Sequence, residues 1–157
     1  TVRVALIAGP MYDALYARYS SHAQDDGTSI AVQIESRERA AGRPLKHFID
    51  STAAEWASGT LVGKPAAVFT STATMHGGQE STLLSMITPL LHHGMLIVGI
   101  PFTEAALNRT TTGGTPYGAS HVAGVDGENP LSEDERTLAR RLGRRVAEVC
   151  QRLGASA

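Results

Sequence analysis

Ala66-Ala67-Val68-Phe69-Thr70 is followed by Ser71-Thr72-Ala73-Thr74-Met75-His76-Gly77-Gly78, and this stretch decides the fold. The first five residues are apolar with a β-branched centre and read as a buried strand. The next eight are small, polar and glycine-bearing, and read as a loop. Glu80 to His93 is a helix, because Leu83, Leu84, Met86, Ile87, Leu90 and Leu91 cover one broad face. Gly94 stands where a left-handed C-cap is wanted. Met95 to Ile100 is apolar except for Gly99 and reads as the next strand. A strand, a loop, a helix and a second strand in this order form a crossover unit of a parallel sheet.

Outward toward the N-terminus, Val2 to Ile7 is a second short apolar run, closed by Gly9-Pro10, and reads as a parallel-type strand. Tyr12 to Tyr19 suits one or two helical turns. Gln24-Asp25-Asp26-Gly27 is a turn, and Ser29 to Ile34 alternates as a strand does. Pro44 opens a helix with Leu45, Phe48, Ile49 and Trp56, ended by Ser58-Gly59. Outward toward the C-terminus, Pro101 to Asn129 is a long loop rich in Gly, Thr and Pro. Ser132 and Glu135 form a capping box for the last helix. Its stripe is Leu138, Leu142, Val146, Val149 and Leu153. The reading is one α/β domain over residues 1–157, with helices on both faces of a parallel sheet. Ligands of such sheets bind beyond the carboxyl ends of the strands, where the Thr70–Gly78 loop lies.

The composition narrows the function. The chain has 157 residues, 42% hydrophobic and 18% charged, which supplies a full core. Fourteen Lys+Arg against 15 Asp+Glu leave no basic excess to hold phosphates, so no nucleic-acid partner is expected. One cysteine excludes a disulfide framework and a cysteine-rich zinc site. No 18-residue apolar run exists for a membrane span, and the start has no signal-peptide shape. A cytoplasmic location is therefore the expectation.

The Thr70–Gly78 loop offers four hydroxyls, two glycines and a helix N-terminus, which suit a phosphate or a flat polar ring. It lacks the Gly-Lys-Ser/Thr of a P-loop and the G-x-G-x-x-G of a dinucleotide fold. An ordinary capped turn fits the same residues equally well. Tyr117, set among Gly113, Gly114 and Gly118, is a second candidate, with a structured surface loop as the plain alternative. His92 and His93 point about 100° apart on a helix and make no metal pair. His93 reads as a capping or half-buried histidine, Trp56 as core or interface, Cys150 as a small core residue. The arginines from Arg140 to Arg145 read as a solvated face. No G-x-S-x-G, H-E-x-x-H or C-x-x-C motif occurs. Hydroxyls, glycines and aromatics without a marked acid or base suit a flavin, which carries its own electron chemistry.

These words resemble the flavodoxin-like WrbA family of NAD(P)H:quinone oxidoreductases. The resemblance rests on Phe48-Ile49-Asp50, Trp56-Ala57-Ser58-Gly59, Gly63-Lys64, Val68 to Thr74, and Gly77-Gly78-Gln79-Glu80. His92-His93-Gly94-Met95, Gly113 to Ala119, and Ala123-Gly124-Val125-Asp126-Gly127 continue it. The match runs nearly unbroken from Pro44 to Leu153. It implies a five-stranded doubly wound sheet, FMN as cofactor, and a homotetramer with active sites at subunit junctions. It further implies two-electron, ping-pong reduction of quinones by NAD(P)H. By position, Ser71, Thr72, Ala73, Thr74, Met75, Gly77 and Gly78 would wrap the flavin ring and ribityl chain. His92 would reach the flavin site, Trp56 would wall the pocket shared by nicotinamide and quinone, and Tyr117 and Gly118 would lie close to the ring.

The N-terminal third departs from that family. Ala8-Gly9-Pro10-Met11-Tyr12-Asp13 stands where a hydroxyl-rich phosphate loop belongs; Pro10 has no N–H and Asp13 repels phosphate. Glu35 to Arg43 does not match the family's second flavin loop, and four strands are legible where five are implied. Either the chain has lost these parts and binds FMN poorly, or flexible loop segments are missing from the sequence at Ile7–Ala8 and between Ile34 and Arg43. The second is preferred, because the losses fall on flavin-binding loops, which are the mobile part of such a structure when empty. The first would make the chain a flavodoxin-like binding or scaffold protein. A one-electron carrier is a third reading.

Overall fold

The computed structural model describes residues 51–154 together with the backbone of two N-terminal strands. The strands are β1 (Arg3–Ala8) and β2 (Asp13–Arg18), followed by helix α1 (Ala53–Ser58). Next come β3 (Pro65–Ala66), β4 (Phe69–Thr72), α2 (Gln79–His92) and β5 (Leu96–Ile97). The chain ends with α3 (Ala105–Arg109), β6 (Ala119–Val122) and α4 (Glu133–Gly154). Strands and helices mix as an α/β protein requires. β3 pairs in parallel with β5, and β4 in parallel with β6.

The segment from Pro65 to Thr72 is the hinge of the architecture. Its side chains alternate between two helical layers, as a strand buried on both faces must. Ala66 and Val68 pack with Leu83, Met86 and Leu90 of α2. Ala67 packs with Leu138, Leu142 and Val146 of α4, and Phe69 joins that side. Ala67 and Val68 fall between the two short ladders, so the single strand expected over Ala66–Thr70 is divided into β3 and β4. Met95–Ile100 is likewise shorter as a ladder, with only Leu96 and Ile97 paired to β3.

α2 begins at Gln79 and ends at His92, one residue from the expected limits. Gly94 takes φ 74°, the left-handed value its position predicted. Pro89 lies inside this helix, a feature the periodicity did not flag. α4 runs from Glu133 with the predicted acidic first turn, and Leu138, Leu142 and Val146 are buried. Leu153, expected on the same stripe, is 43% exposed.

Three expectations are corrected. Within Tyr12 to Tyr19, the stretch read as one or two helical turns, Asp13–Arg18 is a strand. It pairs antiparallel with β1 from Arg3↔Arg18 to Ala8↔Asp13, so the first strand is not parallel to this neighbour. A hairpin register satisfies the backbone groups of both segments locally, where a single turn of helix would leave most of its own unpaired. Pro101–Asn129 is not one loop, since α3 and β6 lie inside it. The arginines of α4 are not merely solvated. Arg141 bonds Glu104 at 2.5 Å and Arg145 donates to the Gly99 carbonyl at 2.9 Å, tying α4 to the loop before α3 and to the residues after β5. Residues 44–50, 24–27 and 29–34, where a helix start, a turn and a strand were read, lie outside the described residues, as does the proposed discontinuity between Ile34 and Arg43. Ile7 and Ala8 both lie in β1.

Candidate functional site

β4 ends at Thr72, and the chain turns through Ala73 to Gly78 before α2 begins. Thr72 Oγ1 donates to the Thr74 carbonyl at 2.9 Å, and the Gly77 N–H donates to the same oxygen at 3.0 Å. Gln79 Nε2 closes the turn on the Met75 carbonyl at 3.2 Å. A Cβ on Gly77 would meet Thr72 Cβ at 2.9 Å, so the tightness of the turn demands glycine there. Ala73 to Gly77 are exposed, which leaves the turn open to a ligand in front of a 14-residue helix. Two buried polar atoms beside it, Thr70 Oγ1 and Gln79 Oε1, have no hydrogen-bond partner. Such orphaned atoms are costly unless a ligand or water meets them. These features fit a polar cofactor at this end of the sheet.

A cavity of about 670 Å³ runs along the α4 side of β4 and β6 to their carboxyl ends. Ser71, Thr72 and Ala73 line it, with His121, the loop around Asp126, and Glu135 and Leu142 of α4. Of the eleven candidate site residues, those three are the ones on its wall. Thr74, Met75, Gly77 and Gly78 form the adjoining turn.

The remaining four candidates stand elsewhere. The Trp56 and His92 rings contact each other, with centroids 5.8 Å apart and planes tilted by 31°. They lie at the far end of α2 from the turn, about 20 Å away at 1.5 Å per residue. Trp56 is 53% exposed, so it is not a core residue of this chain. His93, by contrast, is buried, its Nε2 2.8 Å from Thr52 Oγ1, while its Nδ1 has no partner. Gly118 sits against the Val68 carbonyl and Tyr117 precedes it. Val68 is four residues before Thr72, about 13 Å back along the strand. Thr115 Oγ1 holds this corner by donating to the Gly118 carbonyl at 3.1 Å.

Sequence reasoning read Glu135 only as half of a capping box. The box forms: the Glu135 N–H donates to Ser132 Oγ at 3.2 Å, and the Ser132 N–H returns to Glu135 Oε2 at 2.8 Å. The same carboxylate also accepts from the Gly113 N–H at 2.9 Å and the Val122 N–H at 3.0 Å. His121 Nδ1 lies 3.0 Å from its second oxygen. Burial opposes ionisation of Glu135, but the three backbone donors and His121 outweigh it and hold the carboxyl at about 2. His121 went unnoticed because one histidine on a short strand carries no periodic signal. Among the described residues no group of three His, Cys, Asp or Glu could hold a metal ion. No helix there is long and apolar enough to cross a membrane.

Fold and site define an α/β protein whose polar turn and crevice lie at the carboxyl ends of parallel strands. No protein-family model matches the chain. Curated relatives do match. It is 52% identical over 113 residues to a protein named NAD(P)H dehydrogenase (quinone) from Solidesulfovibrio magneticus, covering 71% of this chain and 56% of that one. It is 46% identical over 127 residues to one of the same name from Chromohalobacter salexigens, covering 80% and 63%. The corresponding protein of Geobacter sulfurreducens is 51% identical over 111 residues, covering 69% and 55%. The resemblance to the WrbA-type family therefore holds across most of this chain. The chain spans only 55% to 63% of the length of these curated relatives.

Proposed function

We propose that this chain is an FMN-dependent NAD(P)H:quinone oxidoreductase that reduces quinones by two electrons in a ping-pong sequence. The observation that carries the reading is the 46–52% identity to proteins named for that activity. The open turn with orphaned polar atoms beside it supports the cofactor assignment. In this reading the 157 residues form one flavodoxin-like, doubly wound domain, working in the cytoplasm. Ser71, Thr72, Ala73, Thr74, Met75, Gly77 and Gly78 hold the ring and ribityl chain of FMN. When bound, FMN supplies hydride acceptance from NAD(P)H and its delivery to a quinone. The chain itself binds, orients and excludes water.

The separation along α2 gives this reading its quaternary part. Trp56 and His92 cannot reach their own turn across about 20 Å. A homotetramer solves this if the pair faces the turn of a neighbouring copy. The end of α2 is suited to burial: Val62, Leu91 and Leu96 are 65%, 57% and 44% exposed beside Trp56. Tyr117, which is exposed, belongs to the junction in the same sense, and Gly118, buried against Val68, supports it from below. Trp56 then walls the space where nicotinamide and quinone alternate.

FMN titration, followed by NADPH oxidation with benzoquinone, tests the reading. Saturable FMN binding with flavin-dependent turnover is expected; no turnover at saturating FMN defeats it. A second reading has its own observation. The antiparallel pairing of Ala8 with Asp13 stands where a strand-to-helix phosphate loop belongs. A flavodoxin-like scaffold with impaired FMN binding fits that hairpin, and predicts a folded oligomer that takes up no FMN at micromolar concentrations.

A further inference from the structure

We propose that His121, clamped by Glu135 above the apolar chamber on the α4 face, is a binding site for a carboxylate carried on a flat apolar body. The site adjoins the proposed FMN turn, since Ser71, Thr72 and Ala73 line this chamber as well, but His121, Glu135 and the apolar floor take no part in that reading.

The chemistry starts with Glu135. Its side chain is 2% exposed, and an ionised carboxylate only accepts hydrogen bonds. His121 must therefore carry its proton on Nδ1 to make the 3.0 Å contact. That fixes the ring and leaves Nε2 as its remaining functional atom. Nε2 has no hydrogen-bond partner among the described residues, and the ring is 19% exposed on the cavity wall. Nε2 is then the ring atom that shares a proton with an incoming carboxyl group. The parallel register places Ser71 directly beside His121. Register partners share a face of the sheet, so the Ser71 hydroxyl is a second donor at the same spot.

The rest of the wall selects the body of the ligand. Ala67, Phe69, Ala119 and Leu142 form an apolar floor, and about 670 Å³ accommodates a bicyclic aromatic acid. The titratable groups facing His121 are Glu135 from α4 and Asp126 from the loop after β6; β4 contributes none to the wall. Asp126 is exposed, and solvent screens its charge from the site.

The test is titration of the chain, without FMN, with 1-naphthoate and its neutral counterpart 1-naphthamide. Naphthoate is expected to saturate at least about tenfold more tightly at pH 6 than at pH 8, with net proton uptake seen as a dependence of binding heat on the buffer. Naphthamide should show neither. His121→Gln should weaken naphthoate about tenfold or more while circular dichroism and the urea midpoint stay near wild type. Equal binding of acid and amide, pH-independent binding, no saturation, or an unaffected His121→Gln variant each overturns the proposal. If that variant does not fold, the nitrogen-15 resonance of Nε2 in the wild type decides: it moves to the protonated range on adding naphthoate, or the proposal falls. Failure here leaves the FMN titration untouched.

Discussion

At the scale of single residues, Glu135 gathers the most consequence. Its carboxyl titrates near 4.5 when unfolded and about 2 in the fold. A depressed folded value means the stabilisation is fully present above the unfolded value and is lost as pH falls through the folded one. The window is therefore between about pH 4.5 and 2. The loss across it is on the order of 3 kcal/mol. Glu135→Gln should lower stability at neutral pH and flatten the acid limb; urea midpoints measured from pH 7 to 2 check both. Gly118 gives a second prediction. A Cβ there would collide with the Val68 backbone, which belongs to the central segment and cannot step aside. Gly118→Ala should cost about 1–3 kcal/mol in chemical denaturation.

The elements show where local chemistry and tertiary packing divide the labour. α4 starts where Ser132 and Glu135 cap each other, and Ser132→Ala should cost about 1 kcal/mol. The matching helical signal should shrink only slightly, since Leu138, Leu142 and Val146 still anchor the face. α2 and α4 were legible because their apolar positions repeat at helical spacing over many turns. β2 and β6 were not. Asp13–Arg18 holds the same mix of alanine, leucine and tyrosine that a short helix uses, and only a partner strand tells the two apart. Ala119–Val122 lies among glycines and threonines that read as loop. It becomes a strand because β4 supplies the other half of its ladder.

For the whole molecule, α2 sets residues of the one proposed site at its opposite ends. The exposed apolar end around Leu91 is where a neighbouring copy would meet them. On the proposed tetramer and FMN reading, Leu91→Glu should shift the sedimenting species toward smaller ones, and flavin-dependent turnover should fall with it, while the secondary structure persists. An unchanged oligomeric state with normal turnover would remove that end of the molecule from the proposed interface. The candidate turn from Ser71 to Gly78 was visible in the sequence as hydroxyls and glycines between a strand and a helix, a pattern that an ordinary capped turn shares. The spacing between that turn and Trp56 was not visible. The sequence brings the two close in a motif list, and α2 sets them apart.

The sequence by itself determined the layers of this protein and its kinship. Periodicity writes itself into every turn of α2 and α4, and the ordered words from Phe48 onward carry the family likeness. Tertiary structure decided which distant groups meet. The contact of His121 with Glu135, the reach of Glu135 to Gly113 and Val122, and the register of Ser71 beside His121 join segments far apart along the chain. No local pattern encodes such contacts, because they exist only once the sheet has fixed which strands lie side by side.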